Sequence, residues 1–305
     1  MVEDGKPPAG GERLQSIFSG LFHVTGIDGL YARTGLYERV VTALGGLISN
    51  HRPMGAEVLA FPPVMSRGHV ERQGYLKSFP NLLGVVSCLC GDERDIRKIV
   101  ERAEGGDDWT DALSATDLVL SPAACYPVYP MVAARGPIPS DGLVFDVSAD
   151  CFRREPSTDI DRLQSFRMRE FVRVGSPQQV LEFRHAWIER GRTIADLLGI
   201  ACDVQLASDP FFGRGGELVA QSQIEQALKF ELLIPIRSEA SPTACMSFNY
   251  HQDHFGLTWD LTQDGQIAHT ACVAFGIDRL AVAVFASHGL EIDRWPNSVR
   301  DSLHL

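Results

Sequence analysis

The chain has 305 residues, 45% hydrophobic and 22% charged, a balance that excludes fibrous, disordered and disulfide-scaffold proteins and fits one large or two modest globular domains. Its 28 basic against 39 acidic residues leave a net charge of −11, a field that repels bulk RNA and DNA, although a local basic groove stays open. No apolar run reaches the roughly 20 residues that span a bilayer, no signal peptide opens the chain, and seven scattered cysteines fit thiols or metal ligands better than disulfides, so a cytoplasmic protein is expected.

Residues 1–10, rich in Gly and Pro, read as a disordered leader. Leu36, Val40, Val41, Leu44, Leu47 and Ile48 then recur at helical spacing and predict an amphipathic helix that stops before Asn50-His51-Arg52-Pro53. Glu57 to Phe61 is a strand-like run halted by Pro62 and Pro63, since proline cannot donate to a sheet ladder. Cys88 and Cys90 form a close pair without a matching pair downstream, and read as core thiols rather than a zinc knuckle. Asp92 to Gly105 predicts a charge-laced helix, and Asp117 to Val147 predicts short strands broken by Pro, Gly and Ser.

Cys151 to Glu155 and Phe166 to Val174 predict an antiparallel hairpin around the charged loop Pro156 to Leu163. A helix follows from Pro177 to Leu198, with Val180, Phe183, Trp187, Ile194 and Leu198 on one stripe. Strands are predicted at Ala201 to Ala207, Lys229 to Ile236, Thr243 to Tyr250, Leu257 to Leu261 and Ile267 to Val273, before a closing helix from Gly276 to Ser287. Hairpin-joined strands with helices outside them predict an α+β fold whose sheet is mainly antiparallel.

The common phosphate loops and the Gly-x-Ser-x-Gly elbow are absent from the sequence. Phe152-Arg153-Arg154-Glu155 and Phe166-Arg167-Met168-Arg169-Glu170-Phe171 stand out instead. An arginine at a strand end can grip an α-phosphate and an aromatic on the partner strand can stack a purine, but a solvated charged hairpin accounts for the same residue types. Cys272 to Leu280 runs from strand through Gly276 into an apolar helix, with Arg279 in its first turn pointing back toward the mouth of the sheet. Cys125, Glu170 and Cys272 follow no metal-ligand spacing, and a lone strand cysteine is more often apolar filler. His251 and His254, with Asp253, are a rival metal pair; three apart on a strand they face opposite sides, and they read as a polar loop end.

The joint order of these elements resembles the catalytic core of class II aminoacyl-tRNA synthetases, an antiparallel sheet flanked by helices. The first helix, its strand and Pro62-Pro63 are similar to the first motif, the hairpin to the second, and Gly276 to Arg279 with the closing helix to the third, with Ala274 where a further glycine is usual. Lys229-Phe230-Glu231-Leu232 and Ser247-Phe248-Asn249 look like the seryl branch. Cys125, Glu170 and Cys272 stand where its archaeal-type, zinc-dependent form keeps its metal ligands. With no long tRNA-binding arm before the core, residues 11–305 read as a single catalytic domain, and the chain resembles the amino acid:[carrier protein] ligases, truncated synthetase homologues.

That resemblance implies ATP-dependent activation of a small amino acid, glycine favoured with alanine or serine as alternatives, and transfer to the phosphopantetheine thiol of a holo acyl or peptidyl carrier protein. It implies one zinc ion per chain on Cys125, Glu170 and Cys272, with a fourth position open to the substrate amino group, and ATP with magnesium. Arg153 would hold the α-phosphate, Arg279 the γ-phosphate and Glu155 the adenine amino group, with Phe171 stacked on the base. Arg162 and Leu163 would close over the nucleotide, Lys229 would add a cation, and Ala244, Cys245, Met246 and Ser247 would form the floor. A homodimer through the helix at residues 35–50 and carrier docking on Phe212 to Leu228 are further expectations, with no tRNA and no membrane as partners. Two other readings stay open: a stand-alone seryl-type synthetase fragment, and an inactive paralogue serving as a binding module.

Overall fold

Long runs of buried residues, continuous rather than alternating, mark the strands that lie at the centre of the fold, because a strand covered on both faces has no solvent side. The computed structural model describes residues 11–305; the expected leader at residues 1–10 lies outside the described residues. In chain order come α1 (Glu12–Leu21), the hairpin β1 (Phe22–Ile27) and β2 (Leu30–Arg33), and α2 (Gly35–Asn50), capped by Thr34 accepting the Tyr37 N–H. Then follow β3 (Glu57–Ala60), β4 (Val64–Ser66), α3 (Arg67–Arg72), α4 (Tyr75–Ser78), β5 (Val85–Leu89), α5 (Glu93–Glu104) and β6 (Leu113–Leu120). The middle of the chain supplies α6 (Val128–Arg135), β7 (Leu143–Phe152), β8 (Ser165–Gly175), α7 (Pro177–Leu197), β9 (Asp203–Leu206) and α8 (Gly213–Glu225). The last third supplies β10 (Lys229–Ile234), β11 (Thr243–Gln252), α9 (His254–Trp259), the ribbon β12 (Thr262–Gln263) and β13 (Gln266–Ile267), β14 (His269–Gly276), α10 (Ile277–His288) and α11 (Asn297–Leu303).

Seven strands form one sheet in the order β3-β7-β8-β14-β11-β10-β9, antiparallel throughout except for the parallel pair β3 and β7, so the α+β expectation holds. A smaller antiparallel sheet, β4-β6-β5, sits beside it. One face of the large sheet is apolar: Phe171, Phe275 and Trp187 pack with ring centroids 4.8–6.0 Å apart. Helices α7, α10 and α2 cover that face, and the α7 backbone comes so close at Gly191 that an added Cβ would sit 2.6 Å from Phe248. Buried Asp278, at the start of α10, accepts from the Tyr37 hydroxyl (2.8 Å) and the Arg167 guanidinium (2.7 Å), and Arg167 also reaches Glu38 (2.6 Å). This network ties α2, β8 and α10 together with every charge partnered, as burial demands.

Several expected elements fold differently. Between Asp117 and Val147 only the ends are strands, β6 and β7; the middle is α6, whose Val128, Tyr129 and Val132 share the buried stripe of a helix. Leu257 to Leu261 is not a strand but the end of α9 and its exit, and Gly256 there lets the helix approach so closely that a Cβ would lie 2.1 Å from the Ala268 carbonyl oxygen. The first hairpin strand begins earlier and stops at Phe152, leaving Arg153 to Glu155 as irregular chain. Cys88 and Cys90 are exposed, not core thiols. The apolar stripe of α2 is buried inside this subunit, so that face is not free to form a dimer interface.

Gly191→Val forces side-chain carbons into Phe248 and is expected to lower stability by about 1–3 kcal/mol, read as a lower denaturant midpoint with unchanged slope.

Candidate active site

The second face of the large sheet is only partly covered, and a cavity of about 700 Å³ opens there. Strand register decides which side chains reach it. Residues opposite one another in an antiparallel ladder share a face, and Glu170 pairs with Ala274, Ala274 with Ser247, and Cys272 with Asn249. All five side chains therefore look into the cavity, while their neighbours Phe171, Val273 and Phe248 face the apolar core.

Cys125 joins them from the loop before α6, where its backbone N–H donates to Glu170 Oε1 at 3.0 Å. Ligand atoms of Cys125, Glu170 and Cys272 lie within 4.8 Å of one another, and all three residues are buried. The Cys125 thiol is held well above its ordinary range by its hydrogen bond with Cys272, then by burial and the Glu170 charge. Burial raises Glu170 against the hydrogen bonds from both cysteines. For Cys272 the bond with Cys125 pulls down, but burial and Glu170 outweigh it and leave the thiol raised. Three acidic groups that hold one another's protons in this way fit a divalent cation, which would let all three ionise together. Two sulfurs and one carboxylate form a donor set suited to zinc, with room for one further ligand.

The same cavity is lined by two arginines. Arg279 is positioned by bonds to the carbonyls of Asp161 (3.0 Å) and Ala244 (2.9 Å), and burial followed by the charges on Arg153 and Arg162 lowers its pKa while leaving it a cation. Arg153 donates to the Pro122 carbonyl at 3.1 Å and lies 5.5 Å over the ring of Phe166. Glu155, Leu163, Ala244, Cys245, Met246 and Ser247 also border the cavity. Cys245 is the extra residue of a bulge between β10 and β11, and burial pushes its thiol up to about 12, so it stays neutral.

No family model matches the chain. Amino acid–[acyl-carrier-protein] ligase 1 of Bradyrhizobium diazoefficiens is 61% identical over 286 residues, 93% of this chain and 88% of its own length. Ligase 2 of the same organism is 56% identical over 303 residues, 99% of this chain and 90% of its own length. The chain belongs to this ligase family. Its fold is that of class II synthetases: M. kandleri SerRS, solved in complex with A. aeolicus tRNASec, superimposes with a TM-score of 0.82 at 20% identity over 99% of this chain and 62% of that one.

One expected site residue of the ligase does not sit where expected, and two others are engaged in ion pairs. Phe171 is fully buried among Trp187 and Phe275 on the opposite face of β8, since odd and even positions of a strand point apart. Phe166, on the Glu170 face, is the β8 aromatic that lines the cavity, and counting by twos back from Glu170 would have found it. Lys229 borders the cavity, but its ammonium is held by Asp209 (2.6 Å) and Glu231 (2.8 Å), so its charge is already matched. Burial alone would lower its pKa; the two carboxylates outweigh that and raise it. Arg162 is exposed, pairs with Glu155 at 3.3 Å and stays off the cavity wall. His251, expected at a polar loop end, lies on β11 with its ring 3.7 Å from the Cys272 sulfur, whereas the His254 ring meets the Gln73 carbonyl at 3.2 Å. Burial and the charge on His254 lower the His251 pKa to about 3, so its ring is a neutral imidazole at pH 7.

Because both thiols are pushed above their ordinary range, zinc binding to metal-free protein is expected to release protons and to tighten as pH rises. Calorimetry in buffers of different ionisation heat measures the release, and Cys125→Ala should abolish it.

Proposed function

We propose that this ligase activates a small amino acid, glycine favoured and alanine or serine next, with ATP, and passes it to the phosphopantetheine thiol of an acyl or peptidyl carrier protein. The observation that carries the reading is one cavity lined by two chemically opposite sets: a cluster of metal-ligand type, and two partly buried arginines able to neutralise phosphates. Membership of the amino acid–[acyl-carrier-protein] ligase family supports the acceptor.

In the first step a carboxylate oxygen of the amino acid bonds to the α-phosphorus of ATP and pyrophosphate leaves. The carboxylate is already ionised at neutral pH, so positioning and charge neutralisation suffice and no general base is required. Arg153 meets the α-phosphate and Arg279 the γ-phosphate, and magnesium arriving with ATP would share in neutralising the phosphate charge. Phe166, replacing Phe171 in this role, offers its ring to the adenine, and Glu155 its carboxylate to the adenine amino group. Bound zinc supplies a Lewis-acid anchor for the unprotonated α-amino group. Cys125, Glu170 and Cys272 would hold that ion, and the small side chains of Ala274 and Ser247, on the same face as Glu170 and Cys272, favour a small substrate side chain. In the second step the carrier's thiol sulfur bonds to the carbonyl carbon and AMP leaves, giving a thioester.

Carrier docking is supported at α8, where Leu218, Val219 and Ile224 are 44–72% exposed although apolar, and Val219 also borders the cavity. The dimer expectation moves from α2 to the exposed apolar side chains Met54, Val58, Val85, Leu89 and Leu118 around β3, β5 and β6; a sedimentation mass twice that of the chain supports it, and a monomer mass refutes it.

The deciding experiment incubates the protein with ATP, glycine, zinc and a phosphopantetheinylated carrier and follows intact carrier mass. A glycyl mass gain removed by hydroxylamine is expected, and glycylation of tRNA instead would favour the synthetase-fragment reading. Arg153→Ala and Arg279→Ala should each slow amino-acid-dependent pyrophosphate exchange by about 100-fold or more, while Phe166→Ala raises the KM for ATP. Leu218→Glu should raise the KM for carrier and leave pyrophosphate exchange unchanged.

A further inference from the structure

Cys272 carries contacts that its role as a metal ligand does not by itself require. The side-chain nitrogen of Asn249 lies 3.3 Å from its sulfur and 3.0 Å from Ser247 Oγ. His251 Nε2 approaches the same sulfur at 3.7 Å from the other side, and His251 Nδ1 lies 3.0 Å from the hydroxyl of Thr270, which is fully buried. His251 reaches this place because β11 carries an extra residue against β14: Tyr250 pairs with Ala271 and Gln252 with Thr270, leaving His251 as the bulge between them. Bulges of this kind re-aim a side chain, and they gather beside functional sites.

Resting on the reading that Cys125, Glu170 and Cys272 hold a divalent metal, we propose that Asn249 and His251 are positioning residues that donate two N–H bonds to the Cys272 sulfur and hold it as a thiolate facing the ion. Two thiolates and a carboxylate place three negative charges on a dication, leaving an excess of one in a buried site. Hydrogen bonds to a sulfur spread that excess, and a thiolate can only accept, so the Asn249 amide must present its nitrogen. In this arrangement the Thr270 hydroxyl, 3.0 Å from Nδ1, is the donor of that pair, and the ring hydrogen sits on Nε2, the nitrogen 3.7 Å from the sulfur. Cys125 has a matching feature: the hydroxyl of fully buried Tyr129 has no partner of good hydrogen-bond geometry among the described residues and lies beside the Cys125 sulfur. It finds an acceptor once that sulfur is a thiolate.

The test uses Asn249→Leu, His251→Phe and Thr270→Val, each close in volume to the residue it replaces, loaded with zinc or with cobalt(II) as a spectroscopic stand-in. Zinc affinity, measured by competition with a chromophoric chelator, should fall by about 10- to 100-fold in the first two variants. The thiolate-to-cobalt charge-transfer band should move to longer wavelength, because a sulfur without its N–H bonds gives up electron density more easily. Thr270→Val should move the band the same way by less. A variant with native circular dichroism but wild-type band position and zinc affinity overturns the proposal, since a residue that only fills space would leave both unchanged. Should His251→Phe or Asn249→Leu fail to fold, Thr270→Val decides alone. Failure of the wild-type chain to bind stoichiometric zinc overturns the metal reading itself, an outcome distinct from wild-type binding with unshifted variants.

Discussion

The register of β8, β14 and β11 is the constraint on which the rest of the structure depends. With Glu170 opposite Ala274 and Cys272 opposite Asn249, every acid and amide needed at the cavity lies on one face, and Phe171, Val273 and Phe248 lie on the other. A slip of one residue in β14 would exchange the two sets, burying polar groups against α7 and opening the aromatic core to solvent. Apolar burial on the helical face therefore enforces the geometry of the polar face. The core has a functional consequence without touching the site, because it forbids the alternative pairing.

Charge is distributed along the cavity as deliberately as shape. Three acidic groups crowd together with no ion-paired cation among the described residues, and burial makes their separate ionisation costly. Arg153 and Arg279 are held by carbonyl oxygens rather than carboxylates, so their charge is not cancelled by a direct ion pair. Lys229 differs: Asp209 and Glu231 close on it, and Gln223 of α8 donates to Asp209 (2.9 Å) and accepts its N–H (2.7 Å). The lysine that looked like a phosphate ligand instead pins the base of α8 to the sheet. A net charge of −11 thus coexists with two arginines free of a direct ion pair in the cavity, because anion binding responds to unmatched nearby charge and not to the total.

The misread elements share a cause. Val128 to Val132 and Leu257 to Leu261 are short apolar stretches near Pro or Gly, and a few residues cannot separate a period of 2 from one of 3.6. Long elements such as α2, α5, α7 and α10 carry enough turns for the stripe to show, and Thr34, Asp92 and Ser176 mark the starts of the first three with side-chain caps. Phe171 was misassigned for a different reason. Both aromatics of its motif are plausible base-stackers by type, and only strand parity relative to Glu170 separates them. The place of His251 beside Cys272 is not legible in the sequence, because a bulge breaks parity and exists only once two strands are paired.

By itself the sequence determined the fold class, through hairpin-spaced strands and long amphipathic helices, and the chemical vocabulary of the site: arginines after a strand and before a helix, with three acids scattered over more than 140 positions. Those features survive in one dimension because they are properties of residue type and local period. The tertiary structure alone decided that Cys125, Glu170 and Cys272 converge, that Phe166 and not Phe171 faces the cavity, that Lys229 is already paired, and that the apolar face of α2 is consumed inside its own subunit. The physical reason is that convergence, facing and pairing are relations between distant segments, and they are set by strand register and core packing rather than by the identity of any one residue.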